Sequence, residues 1–105
     1  MTTYVFIVRK ISLYTGSRTG KGVWTMLDAN VVGSVLRRLR EERGLSQEIV
    51  SGLAGIGRTH LSAIERGERK PTLETFYRIG EALHMRPSAV LAEIEAELET
   101  AQKPV

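Results

Sequence analysis

Apolar residues recur at intervals of three and four through residues 32–98, a spacing typical of helices that bury one face. Five segments result from the residues that cap, separate or end helices, which are Asp28, Gly44, Ser46, Gly55, Gly67, Thr72 and Pro87. The positions expected to face inward in the first four segments are Val32, Val35, Leu36, Leu39, Ile49, Val50, Leu53, Leu61, Ile64, Leu73, Phe76, Tyr77, Ile79 and Leu83. In the fifth segment Leu91, Ile94 and Leu98 repeat at the same spacing. The pattern predicts a compact all-α bundle of five helices over residues 28–99, with a short tail at residues 100–105.

Residues 1–27 differ in composition from the rest of the chain. They hold four of the six aromatic residues, and two runs rich in β-forming side chains, residues 4–8 and 11–14, precede a glycine-rich stretch. Two interpretations stay open. In one, residues 3–14 and 23–27 pair as a β-hairpin that serves self-association. In the other, Met26 is the natural start and the upstream residues are a leader.

The composition excludes several classes of function. With 105 residues, of which 42% are hydrophobic and 26% charged, the chain has the size and composition of one soluble globular domain. It contains no cysteine, which excludes disulfides and thiolate chemistry, and two histidines are too few for a convincing metal cluster. The longest apolar run, residues 4–8, is far shorter than the roughly 20 residues of a membrane helix. We therefore expect a cytoplasmic protein with no membrane partner, metal, cofactor or catalytic constellation.

The net charge of +3 is unevenly distributed along the chain. Between residues 31 and 70, eight Arg and Lys residues accompany five Glu, whereas residues 86–105 hold two basic residues and four Glu. A basic middle suits a polyphosphate partner, and an acidic end should point away from such a partner.

Residues 46–67 read SQEIVSGLAGIGRTHLSAIERG, two short helical patterns joined by a glycine-containing turn. The phrases that carry a resemblance are Leu45-Ser46-Gln47-Glu48, Ala54-Gly55-Ile56, Arg58-Thr59 and Ile64-Glu65-Arg66-Gly67. Together they resemble the helix-turn-helix of the lambda-repressor/Cro-type (XRE family) DNA-binding proteins, and the resemblance extends over about residues 32–91. It implies a DNA-binding bundle whose third helix enters the major groove.

The resemblance implies base contacts near the start of the third helix. Arg58 can donate two hydrogen bonds to guanine, and Thr59 offers a hydroxyl and a methyl group. Ser62 lies one turn further along. His60 stands where relatives often carry tyrosine, and two interpretations stay open for it: contact with a phosphate or a base, or a place on the helix surface without a partner. An exposed arginine that touches only phosphate is the alternative for Arg58.

Contacts to the DNA backbone are expected from four further residues: Gln47, Arg43, Arg69 and Lys70. Gln47 resembles the family's phosphate-binding glutamine, and the positive end of the second helix also favours a phosphate. For each of the three cations, a solvated surface position is nearly as good an interpretation.

Several family positions concern the framework of the bundle. Arg40 and Glu65 fall where relatives form an ion pair between the first and third helices. Gly57 replaces the usual Ser or Thr cap of the third helix, and Ala63 replaces a polar base-reading residue. His84 stands where relatives place the glycine that ends the fourth helix, which predicts a left-handed backbone at a residue that tolerates it poorly.

The fifth helix is expected to form a homodimer, because one recognition helix reads too few base pairs to find its site in a genome. Leu91, Ile94 and Leu98 lie on one stripe of this helix. We expect Ile94 and Leu98 to pack against the second protomer, since the end of the stripe should extend past the bundle's own core.

The sequence thus predicts a homodimeric transcriptional regulator, a repressor or autoregulator, that binds a specific site on double-stranded DNA. The pattern over residues 58–66 resembles restriction–modification controller proteins in particular. Two alternatives stay open: an antitoxin, which would bind a partner protein, and a protein-interaction module that has lost DNA binding.

Overall fold

The structure, a computed structural model, describes residues 27–102, with side chains up to residue 100. Within this range the chain forms five helices: α1 (Ala29–Glu42), α2 (Gln47–Ala54), α3 (Arg58–Glu65), α4 (Leu73–Ala82) and α5 (Pro87–Gln102). The predicted all-α bundle is confirmed, and residues 27–102 contain no strand. The two interpretations of the N-terminal extension, hairpin and leader, fall on residues outside the described range.

Side-chain caps begin three of the helices at residues that the sequence marks. Asp28, Ser46 and Thr72 each accept a hydrogen bond from a backbone N–H in the turn that follows, at 2.8, 3.1 and 3.1 Å. The first N–H groups of a helix have no partner within it, so each cap stabilises the fold by roughly 1 kcal/mol. The first residues of α1, α2 and α4 are therefore set by hydrogen bonds within their own first turns.

The helices pack so that α3 is held from two sides. α1 contacts α3 and α5, α2 contacts α3 and α4, and α4 contacts α5. The shared core consists of Val32, Val35, Leu36, Leu39, Val50, Ala54, Leu61, Ile64, Ile79, Ala82, Leu83, Val90, Ile94 and Leu98. Because α1 and α2 both contribute to this core, they fix the position of α3 between them.

The buried face of α2 differs from the prediction. Val50, Ser51 and Ala54 face inward, whereas Ile49 and Leu53 are exposed. α2 has eight residues and packs against α3 and α4, and three inward residues fill that contact. Ile49 and Leu53 each precede a buried residue by one position, which turns their side chains away from the buried face. The expectation that they are buried is therefore wrong.

The buried face of α4 is also narrower than predicted. Leu73 and Tyr77 are exposed, and the inward positions include Ile79 and Gly80. Gly80 allows α5 to approach closely, because a Cβ on it would lie 3.2 Å from the Cα of Pro87. The small size of Gly80 thus lets α4 pack closely against α5. The expectation that Leu73 and Tyr77 are buried is wrong.

α5 lies along its own bundle for more of its length than expected. Ile94 is 1% exposed and Leu98 is 8% exposed within the single chain. α5 packs against α1 as well as α4, and Arg38 of α1 donates to Glu93 of α5 at 2.9 Å. The prediction that Ile94 and Leu98 face a second protomer assumed that this end of the stripe extends past the bundle's own core. That assumption is wrong, because both side chains are buried within the single chain. Leu91, 38% exposed, is the member of the predicted stripe that stays accessible.

His84 ends α4 in the left-handed conformation that its place in the family pattern predicts. Its φ is 58°, and the N–H of Met85 donates to the carbonyl of Gly80 at 3.0 Å, closing the helix. A residue with a Cβ is strained at this φ, so the closure comes at a cost that glycine would avoid.

Candidate nucleic-acid interface

α2 and α3 form a helix-turn-helix around a three-residue turn, Gly55-Ile56-Gly57. Gly55 takes a left-handed φ of 70°, and the N–H of Ile56 donates to the carbonyl of Ser51 at 3.0 Å. Ile56 packs against the core beneath the turn. This geometry fixes the angle between the two helices with no need for a long loop.

α3 presents its N-terminal residues to solvent because its other face is buried. Leu61 and Ile64 are in the core, whereas Arg58 and Thr59 are exposed. Gly57 precedes α3 without a side-chain cap, so no side chain covers the first N–H groups of the helix. The start of α3 is therefore open to a polar partner.

The other two predicted base-reading residues are less free than Arg58. Ser62 is partly buried, and its Oγ accepts a hydrogen bond from Arg66 Nη1. His60 is also partly buried. The accessible polar groups of α3 are thus concentrated in its first two residues, Arg58 and Thr59.

A buried ion pair connects α1 to α3. Arg40 Nε lies 2.7 Å from Glu65 Oε2, and Arg40 Nη2 donates to Glu65 Oε1 at 2.9 Å. The side chains of Arg40 and Glu65 are 11% and 3% exposed. The hydrogen bond to Glu65 raises the pKa of Arg40 above its ordinary value, against the effect of burial. The structure contains the ion pair that the family positions imply.

Gln47 joins this ion pair. Its Nε2 donates to Glu65 Oε1 at 2.9 Å, which fixes the first residue of α2 relative to α3. Arg40 Nη1 also donates to the carbonyl of Leu45, at 2.8 Å, just before α2 begins. The predicted phosphate-binding side chain is therefore held in place by the same carboxylate that binds Arg40.

A surface groove runs between α1, the start of α2 and α3. Its lining residues are Arg37, Arg40, Ser46, Gln47, Glu48, Arg58, Ser62 and Arg66. Sequence reasoning did not assign Arg37 or Arg66 to the site. Arg37 lies three residues before Arg40 on α1, and helical periodicity gave the signal that these two side chains share a face.

Three of the groove's four arginines are paired with a glutamate of the same chain. Arg40 binds Glu65, Arg37 lies 3.1 Å from Glu41, and Arg66 lies 2.7 Å from Glu68. The hydrogen bond from Arg66 lowers the pKa of Glu68, so that pair stays charged over a wide pH range. Arg58 has no hydrogen-bonding or ionic partner among the described residues.

Across residues 27–100, the cations without such a partner are Arg58, Arg69, Lys70 and Arg86. Arg58 begins α3, and Arg69 and Lys70 are exposed in the loop that follows it. Uncompensated positive charge is therefore concentrated at the two ends of α3, and Arg86 lies apart, before α5.

Arg43 makes two hydrogen bonds within the bundle that the sequence did not predict. Its Nε donates to the carbonyl of Leu83 at 3.0 Å, and its Nη1 donates to the carbonyl of Leu39 at 3.2 Å. These carbonyls lie near the ends of α4 and α1, and Arg43 does not line the groove. The side chain of Arg43 thus joins two helix ends, and its predicted contact with DNA stays a prediction.

Other kinds of site have no support in the described part of the chain. Residues 27–102 contain no group of three or more metal-binding side chains. No helix in that range is long and apolar enough to cross a membrane.

Comparison with known proteins decides the family. A profile described as Helix-turn-helix matches residues 36–90, which is more than half of the chain. The chain belongs to the helix-turn-helix family. The resemblance to lambda-repressor/Cro-type proteins drawn from the motif phrases is thereby confirmed.

Two relatives of this family carry names that describe regulation. The chain is 47% identical over 53 residues to the HTH-type transcriptional regulator y4dJ of Sinorhizobium fredii, covering 50% of this chain and 69% of that protein. It is 34% identical over 62 residues to the immunity repressor protein of Bacillus phage phi105, covering 59% of this chain and 43% of that protein. This chain thus spans less than half of the phage protein.

Solved helix-turn-helix structures resemble the bundle closely. The restriction–modification controller protein C.AhdI from Aeromonas hydrophila is 34% identical, with a TM-score of 0.59 over 62% of this chain and 98% of that one. The controller protein C.Esp1396I, solved as a tetramer in complex with its natural 35 base-pair operator, is 25% identical, with a TM-score of 0.65 over 71% and 97% of the two chains. The compact bundle is therefore a controller-type fold.

Proposed function

We propose that this helix-turn-helix protein is a transcriptional regulator that binds a specific site on double-stranded DNA as a homodimer, with α3 in the major groove. The observation that carries the proposal is the state of Arg58. It is exposed at the first position of α3 and is the groove arginine for which the described residues provide no acceptor.

The neighbouring arginines of the groove bind glutamate oxygens of this chain, so a partner for Arg58 must supply comparable hydrogen-bond acceptors. Guanine presents two acceptors, O6 and N7, in the major groove, and a guanidinium can bind both at once. Thr59, exposed beside it, adds a hydroxyl and a methyl group that suits thymine. We therefore assign base recognition to Arg58 and Thr59.

Contacts to the phosphate backbone are assigned to the residues on either side of α3. Arg69 and Lys70 follow its C-terminal end without a partner of their own. Gln47 lies at the start of α2, where N–H groups and the helix dipole favour a phosphate oxygen. These contacts position α3 but carry little sequence information.

The biological role that we favour is that of a controller or autoregulating repressor, which acts in the cytoplasm and carries out no catalysis. The controller proteins C.AhdI and C.Esp1396I share this fold over nearly their whole length. An antitoxin would add a partner protein to the same DNA-binding surface. A module that has lost DNA binding is favoured only by Gly57 and Ala63, and the unpaired cations around α3 oppose it.

The test is to select bound sites from a random pool of duplex DNA and then to measure affinity for the selected site over a range of salt concentrations. A defined, two-fold symmetric site with steep salt dependence is the expected result. Arg86→Ala is the matched control for Arg58→Ala, since both arginines lack a partner but only Arg58 lies on α3. Selection that yields no common sequence would refute the proposal.

A further inference from the structure

Gly33 lies in α1 where the backbone of that helix touches the last turn of α3. A Cβ at Gly33 would lie 2.2 Å from the carbonyl oxygen of Ile64 and 2.8 Å from that of Glu65. Real Cβ atoms essentially never approach another heavy atom closer than 3.0 Å. Both neighbours are backbone atoms, so no side chain can rotate away, and any larger residue must move a helix.

Gly33 is the middle of three contacts that α1 makes with the end of α3. Asn30, one turn before it, lies against Gly67, because a Cβ on Gly67 would lie 2.2 Å from Asn30 Oδ1. Arg40, two turns after it, binds Glu65. Residues at this spacing lie on one stripe of a helix, so this stripe of α1 holds α3 at its C-terminal end.

The opposite end of α3 has weaker support. Gly57 gives it no side-chain cap, and Arg58 and Thr59 extend into solvent. A helix of eight residues is stiff over its length of about 12 Å. A displacement imposed at Ile64 and Glu65 is therefore transmitted to Arg58.

We propose that Gly33 is a positioning residue for base recognition: its missing side chain sets the place of α3 and thereby the place of Arg58 in the major groove. This rests on the proposed function. Insertion of a methyl group must separate α1 from α3 by about 1 Å to restore ordinary contacts. Hydrogen bonds to a base need donor–acceptor distances of about 2.7–3.2 Å, so a shift of this size breaks the bidentate contact of Arg58 with guanine. The Coulomb attraction between the cations and the DNA phosphates falls off slowly with distance, so the same shift leaves it nearly unchanged.

The experiment compares Gly33→Ala with Gly52→Ala. Both glycines lie inside helices, so the gain in helix propensity is similar, but a Cβ at Gly52 meets nothing within 4 Å. We expect Gly33→Ala to bind the selected site at least about tenfold more weakly, while its affinity for unrelated duplex DNA changes by less than about twofold. Gly52→Ala should match the wild type in both assays.

A second measurement locates the change within the protein. Amide chemical shifts should move along α3 in Gly33→Ala and stay in place in α5. This readout needs no DNA, so it tests the position of α3 even if the chain selects no site. Absence of shifts in α3, or equal loss of specific and unrelated binding, would overturn the proposal.

A double variant distinguishes a general loss of folding from a displacement of α3. If Gly33→Ala does not fold, it is examined in the Gly52→Ala background, which adds helix propensity without a new contact. Failure to fold there as well would overturn the proposal, because Gly33 would then serve the whole bundle and not the position of α3.

Discussion

Gln47 and Arg40 donate hydrogen bonds to the same oxygen, Glu65 Oε1, each at 2.9 Å. One carboxylate thus joins the end of α1, the start of α2 and the end of α3. The three elements that form the groove depend on a single buried charge, and its removal should affect both stability and DNA binding.

Glu65→Ala should lower the free energy of unfolding by about 3 kcal/mol, because it leaves the guanidinium of Arg40 buried without its carboxylate. Thermal denaturation measures the loss. Glu97→Ala, an exposed change on α5, is the control and should cost less than about 0.5 kcal/mol. Equal, small losses for both would show that the ion pair contributes little in solution.

Arg58→Ala should weaken binding to the selected site by about 1–3 kcal/mol per half-site and relax the preference at one base pair. The reason is the loss of a two-fold hydrogen bond to guanine. Repeating the site selection with the variant measures this directly. If Arg58→Ala recovers the wild-type sequence unchanged, α3 reads DNA through other residues.

Lys70→Ala should weaken binding to specific and unrelated DNA alike, because Lys70 is assigned to phosphate. The slope of log affinity against log salt should decrease by about one ion per protomer. Arg86→Ala, which removes an unpaired cation far along the chain from α3, should leave the slope unchanged. An unchanged slope for Lys70→Ala would move the phosphate contact elsewhere.

His84→Gly should stabilise the fold by about 1 kcal/mol, since glycine adopts a φ of 58° without strain. Chemical denaturation with an unchanged slope would report the gain. His84→Ala keeps the Cβ and should show no such gain. Equal stability of the glycine and alanine variants would mean that the left-handed backbone is not what limits this helix end.

The proposed homodimer leads to a prediction about Leu91, the accessible member of the stripe on α5. Leu91→Glu should give folded monomers that bind DNA weakly, as sedimentation and circular dichroism would show. Leu53→Glu, on an exposed leucine of α2, is the matched control and should stay dimeric. Ile94→Glu should unfold the chain, because Ile94 is in the core. The opposite result, monomers from Leu53→Glu alone, would place the interface on α2.

The sequence predicted the helices and their ends well because those features are local. Asp28, Ser46 and Thr72 act within one turn of their own position, and His84 follows from the backbone that a helix end needs. These features depend on nothing that is distant along the chain.

The expectations that failed all depended on which side of a helix meets a neighbour. Periodicity predicts that Ile49, Leu53, Leu73 and Tyr77 are buried, but one large apolar residue on each helix, with small residues beside it, makes the contacts instead. On α2 these residues are Val50, Ser51 and Ala54, and on α4 they are Ile79, Gly80 and Ala82. The hydrogen bonds of Arg43 to the carbonyls of Leu39 and Leu83 could not be predicted for the same reason, because they form only when α1 and α4 lie together.

The pairing of cations inside the groove has a consequence for the search for a site in the genome. Arg37, Arg40 and Arg66 are already paired with glutamates, so fewer positive charges hold random DNA than the number of arginines in the groove suggests. Affinity for random sequence rises steeply with each phosphate neutralised, and the genome offers a vast excess of such sequence. We therefore expect a small share of the molecules to be sequestered on the chromosome, so that the free concentration follows synthesis closely. A regulator with this property occupies its site in proportion to its own synthesis, without first having to saturate random DNA.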